Sequence, residues 1–155
     1  MKISRLEAWP LKMRLAQPYT IAYETIDSAT NVFLRVETSK GVTGYGCAAP
    51  DLEITGETSD SVLQIFQSVI EPTLRTTDPL RPAWLLERLK PRLGPHPSAL
   101  AMIDMALHDI LGKVAGLPVY KLLGGFRDRM KTSVTVGILP LEQTVARAKE
   151  FVQQR

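Results

Sequence analysis

The stretch from Ser98 to Gly116 constrains the fold more than any other part of the chain. Ala99, Met102, Ile103, Ala106, Leu107, Ile110, Leu111 and Val114 recur at helical spacing and make one wide apolar stripe. Gly116 and Pro118 close that helix as cap and stop. A helix apolar over so wide a face must lie on another layer, and the first third of the chain can supply it. Leu11, Met13 and Leu15 alternate with Lys12 and Arg14, and Val32, Leu34 and Val36 alternate with Phe33, Arg35 and Glu37, the period of half-buried strands. Ser39, Lys40 and Gly41 then form a short connection to the segment Val42 to Ala49, which predicts a hairpin and an antiparallel meander. Two further helices are predicted between sheet and stripe. The first has Thr58 as N-cap and Val62, Ile65, Phe66, Val69 and Ile70 on one face, ending at Pro72; the second follows Asp78 and Pro79, carries Trp84, Leu85 and Leu89, and stops at Pro91. Strands followed by helices predict an α+β domain over residues 1–130.

Composition narrows the class. A chain of 155 residues with 45% hydrophobic and 23% charged residues is the size of one ordinary domain, and this balance excludes disorder, collagen and coiled coil. The longest run without Asp, Glu, Lys or Arg, Leu93 to Ile103, is far short of the ~20 apolar residues of a membrane helix, so no membrane partner is expected. Lys2, Arg5, Glu7 and Lys12 interrupt any apolar core of a signal peptide. Nineteen basic residues against sixteen acidic ones give +3, scattered without a basic stripe, and no nucleic-acid partner is expected. The single cysteine, Cys47, permits no internal disulfide and no cysteine-based zinc site, which fits a cytoplasmic location.

The tail differs in kind. Thr132 to Ile138 is rich in β-formers, Pro140 follows, and Leu141, Val145, Ala148 and Val152 form a new helical stripe running to Arg155. A strand and crossover helix normally deliver the chain to a parallel neighbour, so this β-α unit reads as a piece of a larger architecture. The segments Pro18 to Thr30 and Pro50 to Thr58 are polar and rich in turn formers, yet carry Tyr19, Ile21, Tyr23 and Ile54; they are read as irregular loops suited to binding.

Candidate chemistry is sparse. The glycines Gly41, Gly44 and Gly46 lie in a hairpin strand not followed by a helix, a poor context for cradling phosphate. Asp104 and His108 stand at i and i+4 and read as a helix-surface pair for want of further ligands. Asp51, Glu53 and Glu57 read as a solvated acidic turn, His96 as a surface loop residue, and Cys47 as a buried small residue. No complete catalytic constellation is present by these criteria.

The segment Ala101 to Gly125, AMIDMALHDILGKVAGLPVYKLLGG, resembles the signature of the mandelate racemase and muconate lactonizing branch of the enolase superfamily. Further matches are the loop Pro18 to Ala22, Asn31 to Val36, the P-x-x-x-I-T-G-[ED]-[ST] loop from Pro50 to Thr58, and Thr132 to Gly137, and together they are most similar to dipeptide epimerases. The resemblance implies a capping domain over residues 1–130, with residues 131–155 as the first strand and helix of a modified TIM barrel. It implies Mg²⁺ as cofactor, with acidic ligands and two catalytic lysines on barrel strands beyond Arg155, so this chain alone would be inactive. The chemistry implied is removal of the proton α to a carboxylate and its return from the opposite face. The partner implied is a small-molecule dipeptide or related carboxylate, and a homo-oligomer is expected at full length.

By the same resemblance Thr135 matches a threonine of the first barrel strand that touches substrate, and Tyr19, Ile21, Tyr23, Glu24 and Ile54 match two capping loops that close over the barrel mouth. Two positions depart from the pattern. Gly44, Tyr45, Gly46 and Cys47 stand where many relatives carry G-x-G-E, and Glu24 stands where epimerases that select an acidic dipeptide can have arginine. A carboxylate at that place favours cationic or neutral dipeptides over Ala-Glu. The competing readings are a muconate-type cycloisomerase or o-succinylbenzoate synthase on the same scaffold, and a non-catalytic α+β binding module.

Overall fold

A computed structural model describes residues 1–22 and 25–153. The chain forms three strands, β1 (Ile3–Thr20), β2 (Thr25–Thr38) and β3 (Thr43–Ala48), in one sheet of order β1-β2-β3. The sheet is followed by helices α1 (Ser59–Ile65), α2 (Glu71–Leu74), α3 (Pro82–Leu93), α4 (Pro97–Ala115), α5 (Val119–Leu122) and α6 (Leu141–Gln153). This is the expected α+β order. Two compact units divide it: Met1–Leu11 with Thr30–Phe126, and Lys12–Ala29 with Arg127–Arg155.

In the first unit the hairpin turns where glycine was expected to turn it. Thr38 N–H donates to the Val42 carbonyl at 3.0 Å, Gly41 N–H donates to Thr38 at 2.9 Å, and β2 and β3 run antiparallel with Glu37 opposite Thr43 and Val32 opposite Ala48. Val32, Leu34, Val36 and Ala48 point to one face and are buried, and α4 lies across it with Ala99, Met102, Ile103, Ala106, Leu107 and Ile110 fully buried. The close approach depends on Gly44 and Gly46. A Cβ at Gly46 would stand 1.9 Å from the Met102 carbonyl oxygen, and one at Gly44 2.4 Å from that of Ala106. The glycine run is therefore a groove in β3 that seats the backbone of α4. The helix closes at Gly116, whose left-handed φ of 66° ends it as a C-cap. Val114, counted in the stripe from spacing, is exposed.

Three expectations are corrected by local physics. The first helix does not end at Pro72. It passes through a π turn, Phe66–Ile70, in which Glu71 N–H donates to the Phe66 carbonyl, and resumes as α2 with Pro72 in its first turn. The widened turn accommodates a residue that has no N–H to give and whose ring would strike a regular α-helical carbonyl, and the continuation buries Leu74 completely. Pro91 likewise lies inside α3, because the helix gains the burial of Leu93 by running two residues past it. The segment Pro18 to Thr30 is mostly strand: β1 reaches Thr20 and β2 begins at Thr25. β1 is an edge strand, the position in a sheet that tolerates residues such as Pro10 and Pro18.

The second unit holds the remainder of β1 and β2, an irregular run and α6. The strand expected at Thr132 to Ile138 does not form: residues 131–140 carry no regular secondary structure. A barrel strand exists through hydrogen bonds to neighbours on both sides, and here Ile138 N–H donates to the Thr20 carbonyl at 2.8 Å without a ladder developing. The helix α6 does begin at Leu141, but none of its described residues is buried. Across all described residues, no helix is long and apolar enough to cross a membrane.

Candidate functional site

Within the second unit, Tyr19 and Thr135 line one cleft of about 520 Å³. Its walls come from the end of β1 (Pro18, Tyr19), from Thr135 to Gly137, and from α6 (Arg147, Phe151). Gly137 makes the approach of these segments feasible, since a Cβ there would lie 3.0 Å from the Tyr19 Cβ and 3.1 Å from both Thr20 N and O. Thr135 is exposed, and its hydroxyl makes no hydrogen bond within the described residues. The cleft thus has a threonine and an aromatic side chain among its lining residues.

Arg147 and Phe151 were not singled out by periodicity, because they fall outside the apolar stripe of α6. Their i, i+4 spacing was the available signal: the guanidinium lies 4.9 Å from the Phe151 ring centre and also pairs with Glu150 at 2.6 Å. Of the other expected site residues, Ile21 is half-buried just after β1 and is not part of the cleft wall. Tyr23 and Glu24 lie outside the described residues.

Ile54 belongs to the first unit and stands 77% exposed beside Leu52, 66% exposed, on a turn held by Asp51. The Asp51 carboxylate accepts from Glu53 N–H at 2.9 Å and from Ile54 N–H at 3.0 Å, and the Thr55 hydroxyl donates to the Asp51 carbonyl at 2.9 Å. Asp51 and Glu53 are exposed, as a solvated acidic turn requires. Glu57 is not. It is 1% exposed, and its carboxylate accepts from Ser98 N–H at 2.8 Å and from Ala99 N–H at 3.3 Å. Sequence spacing concealed this, because the partner is the free N-terminus of α4, 41 residues away. His96 is also not a plain surface residue: it is half-buried, with Nδ1 3.9 Å from Glu57 Oε1.

Elsewhere the chemistry is structural. His108 Nδ1 lies 2.8 Å from Asp104 Oδ1 on the surface of α4, and Cys47 is a half-buried free thiol. Among the described residues no group of three or more His, Cys, Asp or Glu side chains could hold a metal ion.

The family description "Mandelate racemase / muconate lactonizing enzyme, N-terminal domain" matches residues 6–124. An L-Lys-D/L-Arg epimerase of Desulforapulum autotrophicum is 41% identical over 98% of this chain and 43% of that protein. An L-Ala-D/L-Glu epimerase of Bacillus subtilis is 33% identical over 99% of this chain and 42% of its own length. The crystal structure of a dipeptide epimerase from Methylococcus capsulatus, complexed with Mg and the dipeptide L-Arg-D-Lys, superposes with a TM-score of 0.92 at 34% identity, covering 99% of this chain and 44% of that one. The chain spans less than half the length of these relatives.

Proposed function

Because the chain belongs to the mandelate racemase and muconate lactonizing enzyme family, as its N-terminal domain, we propose that it is the substrate-selecting part of a Mg²⁺-dependent epimerase acting on dipeptides with a cationic side chain. Residues 1–130 form the capping domain and residues 131–155 open the barrel. The observation that carries this reading is the cleft shared by Tyr19 and Thr135, residues far apart in sequence that the resemblance had assigned to the substrate. The 41% identity to a Lys/Arg epimerase, against 33% to an Ala-Glu epimerase, and the carboxylate at Glu24 favour a cationic substrate.

The described residues do not fit a Mg²⁺ ligand set, so its ligands belong elsewhere in the whole protein. What this chain supplies is selection and enclosure. The Thr135 hydroxyl bonds the dipeptide backbone and Tyr19 forms an apolar wall, while the resemblance assigns Ile21, Tyr23 and Ile54 to the loops that select the substrate. Glu24 attracts the cationic side chain, an interaction worth ~1–3 kcal/mol when partly desolvated. The reaction removes the proton α to the carboxylate and returns it on the other face, through groups outside this stretch. The enzyme works in the cytoplasm as a homo-oligomer.

The test is exchange of the substrate α-proton in D₂O, followed by NMR on the full-length protein with Mg²⁺ and a panel of dipeptides. Deuterium entering Lys- or Arg-containing dipeptides is expected. Conversion of muconate or formation of o-succinylbenzoate without dipeptide exchange would identify the cycloisomerase or synthase alternative, and no turnover of any kind would favour a binding module.

A further inference from the structure

Glu57 is a carboxylate with no catalytic reason to be buried, and its surroundings give it a mechanical one. It sits 1% exposed at the junction between the turn 51–56 and α1. Its side chain reaches into the first turn of α4, where the helix has no cap of its own: His96 occupies the N-cap position and makes no side-chain cap bond. The carboxylate takes the place of that cap through Ser98 and Ala99 N–H, 2.8 and 3.3 Å away. The next residue, Thr58, caps a second helix: Ser61 N–H donates to its hydroxyl at 3.1 Å while Thr58 N–H donates to the Ser61 hydroxyl at 2.9 Å. One end of the turn is therefore fixed to two helix starts by consecutive residues, while its tip presents Leu52 and Ile54 to solvent.

We propose that Glu57 is a positioning residue: by capping α4 across 41 residues of sequence it holds in one register the turn 51–56, which the dipeptide-epimerase reading assigns to substrate capture. The proposal rests on the dipeptide-epimerase reading for its functional half only. Removing the charge should leave α4 intact, since the helix core is held by its buried stripe, but should free the turn. It should then weaken substrate capture without altering the chemistry of the bound complex.

The experiment compares full-length wild type with Glu57→Gln and Glu57→Asp. Glutamine keeps one acceptor for Ser98 but turns an NH₂ toward Ala99 N–H, whereas aspartate keeps the charge on a shorter arm. Hydrogen exchange at the Glu53, Ile54 and Thr55 amides, all hydrogen-bonded within the turn, is expected to rise about tenfold in Glu57→Gln, the equivalent of one lost charge-assisted bond. The central α4 amides should be unchanged, and Glu57→Asp should recover part of the difference. In turnover, KM for the preferred dipeptide should rise about tenfold with kcat within about twofold. Turn exchange equal to wild type, or rising equally in the turn and in α4, would overturn the proposal, as would a fall in kcat at constant KM. If no dipeptide is turned over, the functional reading fails and the exchange result alone decides whether Glu57 holds the turn.

Discussion

Gly46 leaves no room for even a methyl group. An added Cβ would stand 1.9 Å from the Met102 carbonyl oxygen and 3.1 Å from Ala106 N, both backbone atoms of a helix that is itself locked into the core. Gly46→Ala must push α4 off β3, and such overpacking costs ~1–3 kcal/mol; the upper end is expected because no flexible side chain can yield. Urea unfolding would show it as a lowered midpoint at unchanged m-value, and a loss below ~0.5 kcal/mol would mean that α4 moves freely. Sequence alone revealed the glycines but not their purpose, since close approach is a property of two segments brought together by the fold. The same holds for Glu57: as one of three acidic residues in a polar loop it looked solvated, and only the N-terminus of α4 explains its burial. Tyr19 and Thr135 line one cleft, a juxtaposition that neither residue's local sequence signals, and Arg147 beside them was marked by nothing but its spacing to Phe151.

At the scale of elements, legibility followed the strength of the periodic signal. The α4 stripe was readable to within a residue at each end because its faces differ sharply and glycine marks its stop. The prolines misled, since Pro72 and Pro91 were read as stops when a π turn and a buried Leu93 carry the helices past them. The run Thr132 to Ile138 has strand composition but lacks the neighbours that make a strand, and α6 is amphipathic with no buried residue among those described. Local stability should differ accordingly, because opening free energy tracks buried apolar contact. Hydrogen exchange on the 155-residue chain is expected to show residues 131–153 opening at least about a hundredfold faster than the centre of α4, a gap of ~3 kcal/mol. Equal protection would show that the tail is held by contacts such as those of a second copy of the chain.

For the whole molecule, the fold and family follow from the chain itself, while the described residues contain no cluster that could hold the Mg found in a related structure. Isothermal calorimetry on the 155-residue chain should therefore show no saturable Mg²⁺ binding in the micromolar range; tight one-to-one binding would contradict the absence of a ligand cluster among the described residues. On the proposed reading, this part of the protein discriminates between substrates. The decisive measurement is kcat/KM of the full-length protein, with Mg²⁺, for dipeptides ending in Lys, Leu and Glu, repeated in Glu24→Arg. The wild type is expected to favour the Lys dipeptide over the Glu dipeptide by about tenfold to a hundredfold, and the substitution to reverse that order. A wild type that prefers the Glu dipeptide, or a ranking untouched by the substitution, would contradict the account.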